Sequence, residues 1–237
     1  MTAPVQAGPV RPSRLARVRR KPERARYDMA AVHAVLDAAP FCHVATVRDG
    51  RPVVLPMAHA RLGEAVLLHG SVAAGLFRDM RHASPVCVSA TLLDGLVFAR
   101  SARNHSMNYR SVTIHGEATP VTEPEEIMAG MRALVEHVAP GRWDQVRQPA
   151  IGELEDTGLW RVPLGDASFK ARSGSTIDPE SDLDWPVWAG HVPATLTFGT
   201  PVPAQSLPAG VTAAADPAFV NPAFARPFSG LRSAGAP

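Results

Sequence analysis

The chain has 237 residues, 46% of them apolar and 19% charged, which is typical of a globular protein with a sizeable core. The formal net charge is +2, and the only cysteines, Cys42 and Cys87, exclude a disulfide framework. No apolar run reaches the length of a membrane span or forms a signal-peptide core, so we expect a cytoplasmic protein without a membrane anchor.

The positive charge is concentrated in an N-terminal arm, residues 1–26, which holds eight basic side chains and one acidic side chain. The arm is rich in Arg and Pro and lacks periodicity, and residues 1–14 are predicted to be disordered. Its arginines allow nucleic-acid binding. Because no aromatic residue precedes Tyr27 and no groove-reading motif follows, a solvated arm or one that clasps a second subunit is favoured over nucleic-acid binding.

A helix followed by a hairpin is predicted next. Asp28 is a candidate N-cap, apolar residues then recur at helical spacing, and Pro40 closes the helix. Residues 41–48 alternate in polarity, Asp49-Gly50 is a strong hairpin signal, and residues 52–60 form the return strand. Pro56 lies inside that strand and cannot donate to a ladder, so it predicts a sheet edge or a bulge.

Residues 65–80 predict a strand, a tight turn and a helix. Val72, Leu76 and Met80 recur every four residues and would share one helix face. Two interpretations of the turn are open. Gly70 and Ser71 either make the turn and cap the helix, or let a phosphate approach the helix N-terminus. This stretch taken alone favours the first interpretation.

The remaining chain continues with strand patterns and one long helix. Asp94-Gly95 predicts a second hairpin turn, Thr122 begins a capping-box pattern, and Ile127 starts the apolar face of the following helix. Residues 201–237 are rich in Pro and Ala and are predicted to be a disordered tail. The strand patterns occupy residues 85–93, 96–102, 109–121, 160–164, 167–172 and 192–198.

These elements predict a mainly β (α+β) protein, with six to eight largely antiparallel strands and three helices. A small closed or half-closed barrel with peripheral helices fits best. One domain would span residues 15–200, between the arm and the tail.

Most catalytic and metal-binding motifs are absent from the sequence. The nine histidines are scattered, with no metal-ligand spacing, so no metal site is predicted. No nucleophile elbow, glycine-rich nucleotide loop or acid–base pair is evident, and no catalytic residue is assigned. What remains is Tyr109, Arg110 and Ser111 at a strand entry, where Arg110 can clamp a phosphate or a flavin carbonyl. Ordinary surface polarity explains these three residues equally well.

Together, several stretches resemble the pyridoxamine 5′-phosphate oxidase-like superfamily of FMN-binding split barrels, and in particular its flavin-nucleotide-binding, nitroimidazole-resistance-like branch. The resemblance covers residues 15–200 and includes the basic arm. The matching stretches are residues 17–24 with Tyr27-Asp28, 42–44, 68–71, 91–97, 105–112 and 186–190.

The resemblance implies a split β-barrel that forms a homodimer, with FMN in a groove between the subunits. Trp188 would close over the site from a C-terminal segment. The residues implied at the flavin are Pro56 and Met57 at the isoalloxazine edge, Leu68, His69, Gly70 and Ser71 at the phosphate and ribityl chain, and Tyr109, Arg110 and Ser111 on a strand that reaches it from the partner subunit.

One departure from the family pattern concerns the phosphate. Ala74 and Gly75 stand where related oxidases place a Ser and a basic residue, and Arg78 follows one turn later. The implied function is an FMN-dependent oxidoreductase acting on a small electron acceptor, in which the flavin carries the chemistry. The alternative is a non-catalytic flavin-, deazaflavin- or haem-binding protein of the same fold, with His69 or His105 as a haem ligand.

Overall fold

The structure is a computed structural model that describes residues 12–71, 75–80, 83–155, 157–208, 210–211 and 217–225. Predictions on Val72, Ala74 and residues 1–11, and on the side chain of Arg78, lie outside this part. The helices are α1 (Met29–Ala38), α2 (Gly75–Asp79), α3 (Pro124–Val138) and α4 (Ile151–Glu155). The strands are β1 (Ala25–Arg26), β2 (Cys42–Arg48), β3 (Arg51–Met57), β4 (His59–Leu62), β5 (Ala65–Ser71), β6 (Ser84–Phe98), β7 (Ser106–Pro120), β8 (Thr157–Pro163), β9 (Ala167–Arg172) and β10 (Gly190–Pro193).

The strands form a ten-stranded sheet along the path β3-β2-β6-β7-β8-β5-β4, with β9 beside β7, β1 beside β9, and β10 beside β6. β3 and β4 lie at opposite ends of this path, yet Ala58 alone separates them in the chain. The sheet must therefore curl until its two ends meet. All of these pairs are antiparallel, which confirms the predicted split antiparallel β-barrel with peripheral helices.

The first elements follow the local sequence signals. The carboxylate of Asp28 accepts a hydrogen bond from the Ala31 backbone N–H at 3.0 Å and caps α1. Asp49 and Gly50 adopt positive φ angles of 49° and 71° in the β2–β3 turn, as a tight hairpin requires. β3 is an edge strand, which confirms the interpretation of Pro56.

The predicted hairpin at Asp94-Gly95 is wrong. β6 is one strand that pairs with β7 throughout, and the register shifts between Leu93 and Gly95, so Asp94 is the extra residue of a β-bulge. A Cβ at Gly95 would lie 2.7 Å from the Val192 carbonyl oxygen on β10. Asp-Gly makes a bulge here because β7, which pairs with β6 on both sides of the bulge, holds both halves of β6 in line.

One helix prediction agrees with the described residues, and one capping prediction needs correction. Of the helix predicted over residues 72–80, the described part contains the five residues of α2, with Leu76 and Met80 buried as expected. The capping box is not formed, since Glu123 precedes α3 without a side-chain capping bond. Pro124, at the first helical position, fixes the backbone there instead.

Two apolar clusters hold the domain together. In the larger one, α1 buries Val32, Val35 and Leu36 against the barrel interior. In the smaller one, Leu134 of α3 packs on Leu67 and neighbouring residues of β4 and β8. None of the helices in the described ranges is long and apolar enough to cross a bilayer.

Part of the segment predicted as a disordered tail packs on the domain. The Asn221 backbone N–H donates to the carbonyl of Val138 at 2.9 Å, and its side-chain amide donates to the carbonyl of His137 at 2.7 Å. These bonds satisfy carbonyls at the end of α3 that have no helical partner. Phe224 is buried beside the His137 ring, with the ring centroids 5.2 Å apart. The Pro- and Ala-rich composition of this segment gives no sign that Asn221 and Phe224 attach it to the domain.

Candidate functional site

One side of the barrel carries partly accessible side chains of mixed size and polarity, and we call it the outer face. It consists of the residues of β3, β2, β6, β7 and β9 that point away from the core. Directly opposed residues in antiparallel strands share a face of the sheet, so the pairings define its rows. The rows are Val54–Ala45–Cys87–His115, Pro56–His43–Ser89–Thr113 and Thr91–Ser111–Lys170.

The outer face is accessible and has an apolar border. Phe41, Val47 and Val54 are exposed along β2 and β3, with Val47 67% accessible. Exposed apolar side chains on one face of a sheet favour a surface that binds a ligand or another protein.

The two cysteines are not activated nucleophiles. Burial raises the pKa of the Cys42 thiol to about 12, and the same cause raises the pKa of Cys87 on the outer face. Both therefore remain thiols at neutral pH. No group of three or more His, Cys, Asp or Glu side chains among the described residues could hold a metal ion.

The residues predicted near the flavin edge and phosphate meet at one corner of the barrel. Leu68 of β5 pairs with His59, which lies two residues beyond Met57, so the ends of β3 and β5 adjoin. His69 and Ser71 are exposed at this corner, and partial burial lowers the pKa of the His69 imidazole. Leu68 is fully buried, and Met57 packs against the core. Their side chains serve the fold.

Gly70 is required by packing. A Cβ on Gly70 would lie 1.8 Å from the Phe77 ring. That ring stacks on Trp160, with centroids 4.0 Å apart, and the Trp160 indole N–H donates to the Met80 carbonyl at 2.9 Å. The contacts support the simpler interpretation of this turn, and a phosphate contact at Gly70 stays a prediction.

Arg48 is a candidate that the sequence analysis missed. A Cβ on Gly75 would lie 2.9 Å from the Nη2 atom of Arg48, so the guanidinium at the end of β2 lies over the first residue of α2. The family pattern places a basic side chain near this position, and here β2 supplies a cation instead. Residues 48 and 75 become neighbours through barrel closure, which no local pattern reveals.

Tyr109, Arg110 and Ser111 divide between two faces of β7. Tyr109 and Ser111 point to the outer face, and the Ser111 hydroxyl donates to the Lys170 carbonyl at 3.2 Å. Arg110 points the other way and donates to Asp94, from Nη2 at 2.7 Å and from Nε at 3.0 Å. A cavity of about 290 Å³ adjoins this pair. Its lining includes Phe41, Leu93, Asp94, Arg110, Leu196 and Phe224.

Trp188 lies apart from the barrel corner. Its exposed ring is 5.8 Å from the ring of Phe98, and the centroid of the Phe98 ring is 6.0 Å from that of the His105 ring. The Nδ1 atom of His105 is 3.0 Å from the carbonyl oxygen of Ser101. If Nδ1 donates that hydrogen bond, Nε2 carries the free lone pair of this exposed imidazole.

The family of the chain follows from its sequence. Residues 28–171 match the family model described as pyridoxamine 5′-phosphate oxidase. Since the match spans more than half of the chain, the chain belongs to this family. The search of the curated proteins found no match.

Solved structures agree with this assignment. The chain is 36% identical to the flavocytochrome Anf3 from Azotobacter vinelandii, over 86% of this chain and 94% of that one, with a TM-score of 0.80. It is 32% identical to an FAD and haem binding protein from Mycobacterium smegmatis, over 81% of this chain and 94% of that one, with a TM-score of 0.76.

A more distant structure shares the fold. A candidate 5-nitroimidazole antibiotic resistance protein from Bacteroides thetaiotaomicron is 19% identical, over 62% of this chain and 85% of that one, with a TM-score of 0.53.

Proposed function

We propose that this protein is a homodimeric flavin-binding redox protein in which the flavin ring lies against the outer face. The observation that carries the proposal is the outer face itself, a set of partly accessible side chains across five strands with exposed apolar residues at its border. Membership of the pyridoxamine 5′-phosphate oxidase family supports it, as do the flavin-binding names of two relatives.

A second copy of the chain is the natural cover for this surface. Phe41, Val47 and Val54 remain exposed in the single chain, and burying them removes apolar area from water. A cofactor enclosed between two such faces is shielded from solvent on both sides, which strengthens every polar contact to it. The predicted contacts from Tyr109 and Ser111 across the subunits fit this arrangement.

The residues at the barrel corner fit a flavin phosphate. Ser71 supplies a hydroxyl, and Arg48 brings a guanidinium to the start of α2, which replaces the cation lacking at Gly75. Pro56, on the outer face beside His43, presents an apolar ring to a planar ligand. When bound, the flavin supplies hydride or electron transfer, and the protein positions it and excludes water.

The class of cofactor is flavin, and FMN and FAD share the reactive ring. We propose a small electron acceptor, such as a nitroaromatic compound, as substrate. No side chain is assigned as a nucleophile or a general base. This agrees with the raised pKa of the Cys87 thiol on the outer face.

The decisive experiment is a flavin titration of the purified protein. We expect flavin absorbance that co-elutes with a dimer, and flavin fluorescence that is quenched on binding. Arg48→Ala should weaken FMN binding about tenfold, as expected for a charge-assisted bond. Arg132→Ala, at an exposed position of α3, is the matched control. A monomer that takes up neither FMN nor FAD contradicts the proposal.

Haem binding is a second candidate, favoured by the names of the same two relatives and by His105. Histidines that ligate iron commonly donate their other ring nitrogen to a carbonyl, as the His105 contact to Ser101 allows. Haem added to the protein should give a Soret band that His105→Ala removes and His191→Ala retains. An unchanged band in His105→Ala excludes this ligand.

A further inference from the structure

The N-terminal arm from residue 12 onward is fixed beside one end of the outer face. The Ser13 backbone N–H and hydroxyl donate to the carboxylate of Asp166 at 2.9 and 2.6 Å. The carbonyl of Asp166 accepts a hydrogen bond from the backbone N–H of His115, which stands opposite Cys87 on that face. Leu15 lines a cavity of about 600 Å³ there together with Cys87 and His115. This part of the arm therefore holds a defined position next to the outer face.

Three arginines of the fixed arm surround one cleft, which we call the cationic cleft. Arg14, Arg17 and Arg19 are exposed and line a space of about 410 Å³ together with Pro12 and Ser13. Among the residues that the structure describes, no carboxylate pairs with these three guanidinium groups. Like charges held this close repel one another, so an acidic partner in the cleft relieves the repulsion.

A segment of opposite charge precedes β10. Residues 173–200 contain four acidic side chains and neither Lys nor Arg. One of the four, Asp178, forms an ion pair with Arg100. The other three lie in residues 180–188, which we call the acidic segment, and no cation in the described ranges pairs with them. They are Glu180, Asp182 and Asp184. Two Trp side chains of the same segment, Trp185 and Trp188, are 66% and 63% accessible.

The acidic segment and the cationic cleft lie at opposite ends of the outer face. The ring of Trp188 is 5.8 Å from the ring of Phe98, the last residue of β6. Leu96, two residues before Phe98, stands opposite Met107 on β7. Met107 points to the outer face, because it lies an even number of residues from His115 along the same strand. These eight residues of β7 span about 27 Å, so the cleft of one chain lies far from its own acidic segment.

A second copy of the chain can bring the two ends together. When two outer faces meet, a twofold axis across the strands places each end of one face against the opposite end of the other. We propose that the cationic cleft of each copy binds the acidic segment of the other, an inference that rests on the proposed homodimer. Three carboxylates then meet three guanidinium groups. The apolar cavity beside Leu15 is large enough for the exposed ring of Trp185.

Paired charge reversals in the full chain test this contact. The cleft variant is Arg14→Glu/Arg17→Glu/Arg19→Glu, and the segment variant is Glu180→Lys/Asp182→Lys/Asp184→Lys. Each variant places like charges against each other in its own dimer, so sedimentation should show dimerisation at least about tenfold weaker than in the parent protein.

An equimolar mixture of the two variants should restore association. Both contacts of the mixed dimer again join opposite charges, so its affinity should match that of the parent dimer within about threefold. The control is Arg132→Glu/Arg142→Glu, which reverses two exposed arginines on α3 and in the turn after it. The control should dimerise as the parent does.

The outcomes separate this contact from the proposed dimer. A parent protein that sediments as a monomer overturns the homodimer and the contact with it. A dimeric parent whose variants dimerise equally tightly, or whose variants associate no better when mixed, overturns the contact alone. Loss of single-stranded oligonucleotide binding in the cleft variant with an unchanged dimer also overturns the contact, in favour of a nucleic-acid role. Because the substituted side chains are exposed or half-buried, the variants should keep the parent melting temperature within about 2 °C.

Discussion

Arg110 and Asp94 form a bidentate ion pair at the β6 bulge. The side chains are 13% and 11% accessible, and the nitrogen–oxygen distance between Nη2 and Oδ1 is 2.7 Å. The bulge turns Asp94 toward β7, where Arg110 occupies the opposing strand. The ion pair therefore explains why an Asp-Gly sequence sits inside a continuous strand.

The pair predicts that Arg110 contributes to stability. Arg110→Ala would leave the Asp94 carboxylate largely buried without its cation, which costs about 3 kcal/mol of unfolding free energy. Urea unfolding at neutral pH measures the loss. The double variant Arg110→Gln/Asp94→Asn, which keeps a polar pair without charge, should recover most of it. An Arg110→Ala variant with the unfolding free energy of the parent protein would contradict this account of the bulge.

Gly70 and Phe77 provide a test of packing at the end of β5. Gly70→Ala places a methyl group inside the Phe77 ring, so we expect a loss of about 1–3 kcal/mol in unfolding free energy. Phe77→Leu should reduce that loss in a double-mutant cycle, because the two side chains interact directly. Gly152→Ala is the matched control, since a Cβ there meets nothing within 4 Å. Additive effects of the two substitutions would show that the ring moves aside freely.

Local signals predicted the elements whose cause lies within a few residues. The Asp28 cap, the turn at Asp49-Gly50 and the edge position of Pro56 are of this kind. The bulge at Asp94 depends on the pairing of β6 with β7, and the approach of Arg48 to Gly75 depends on barrel closure. A single sequence carries no local trace of such contacts, and Arg48 is therefore missing from the site residues that the resemblance implies.

The buried histidine His59 should make the stability of the fold sensitive to acid. It is 1% accessible, and burial together with the neighbouring His137 lowers its pKa to about 4. The unfolded chain binds a proton near pH 6.5, while the folded protein excludes it until about pH 4. The free energy of unfolding should therefore fall by about 3 kcal/mol as the pH drops from about 6.5 to about 4.

Urea midpoints at pH 7, 6 and 5 measure this dependence. His59→Gln removes the more strongly shifted of two buried histidines and should make the curve less steep, whatever its effect on absolute stability; His137 accounts for the remainder. His105→Gln, at an exposed position, should leave the curve as in the parent. A curve that stays steep in His59→Gln would assign the acid sensitivity to other groups.

Phe224 should control the titration of His137. Burial lowers the pKa of the His137 imidazole, and the Phe224 ring forms part of its cover at 5.2 Å between centroids. Phe224→Ala admits water to that ring and lets it accept a proton more readily, so the pKa should rise toward 6.5. NMR titration of the His137 ring proton measures the change, while His59, which is more deeply buried, should keep its low pKa.

The same Phe224→Ala variant should make the segment around Asn221 more sensitive to protease, because a buried anchor is lost. An unchanged His137 pKa with increased cleavage would show that the C-terminal segment binds the domain without shielding this histidine.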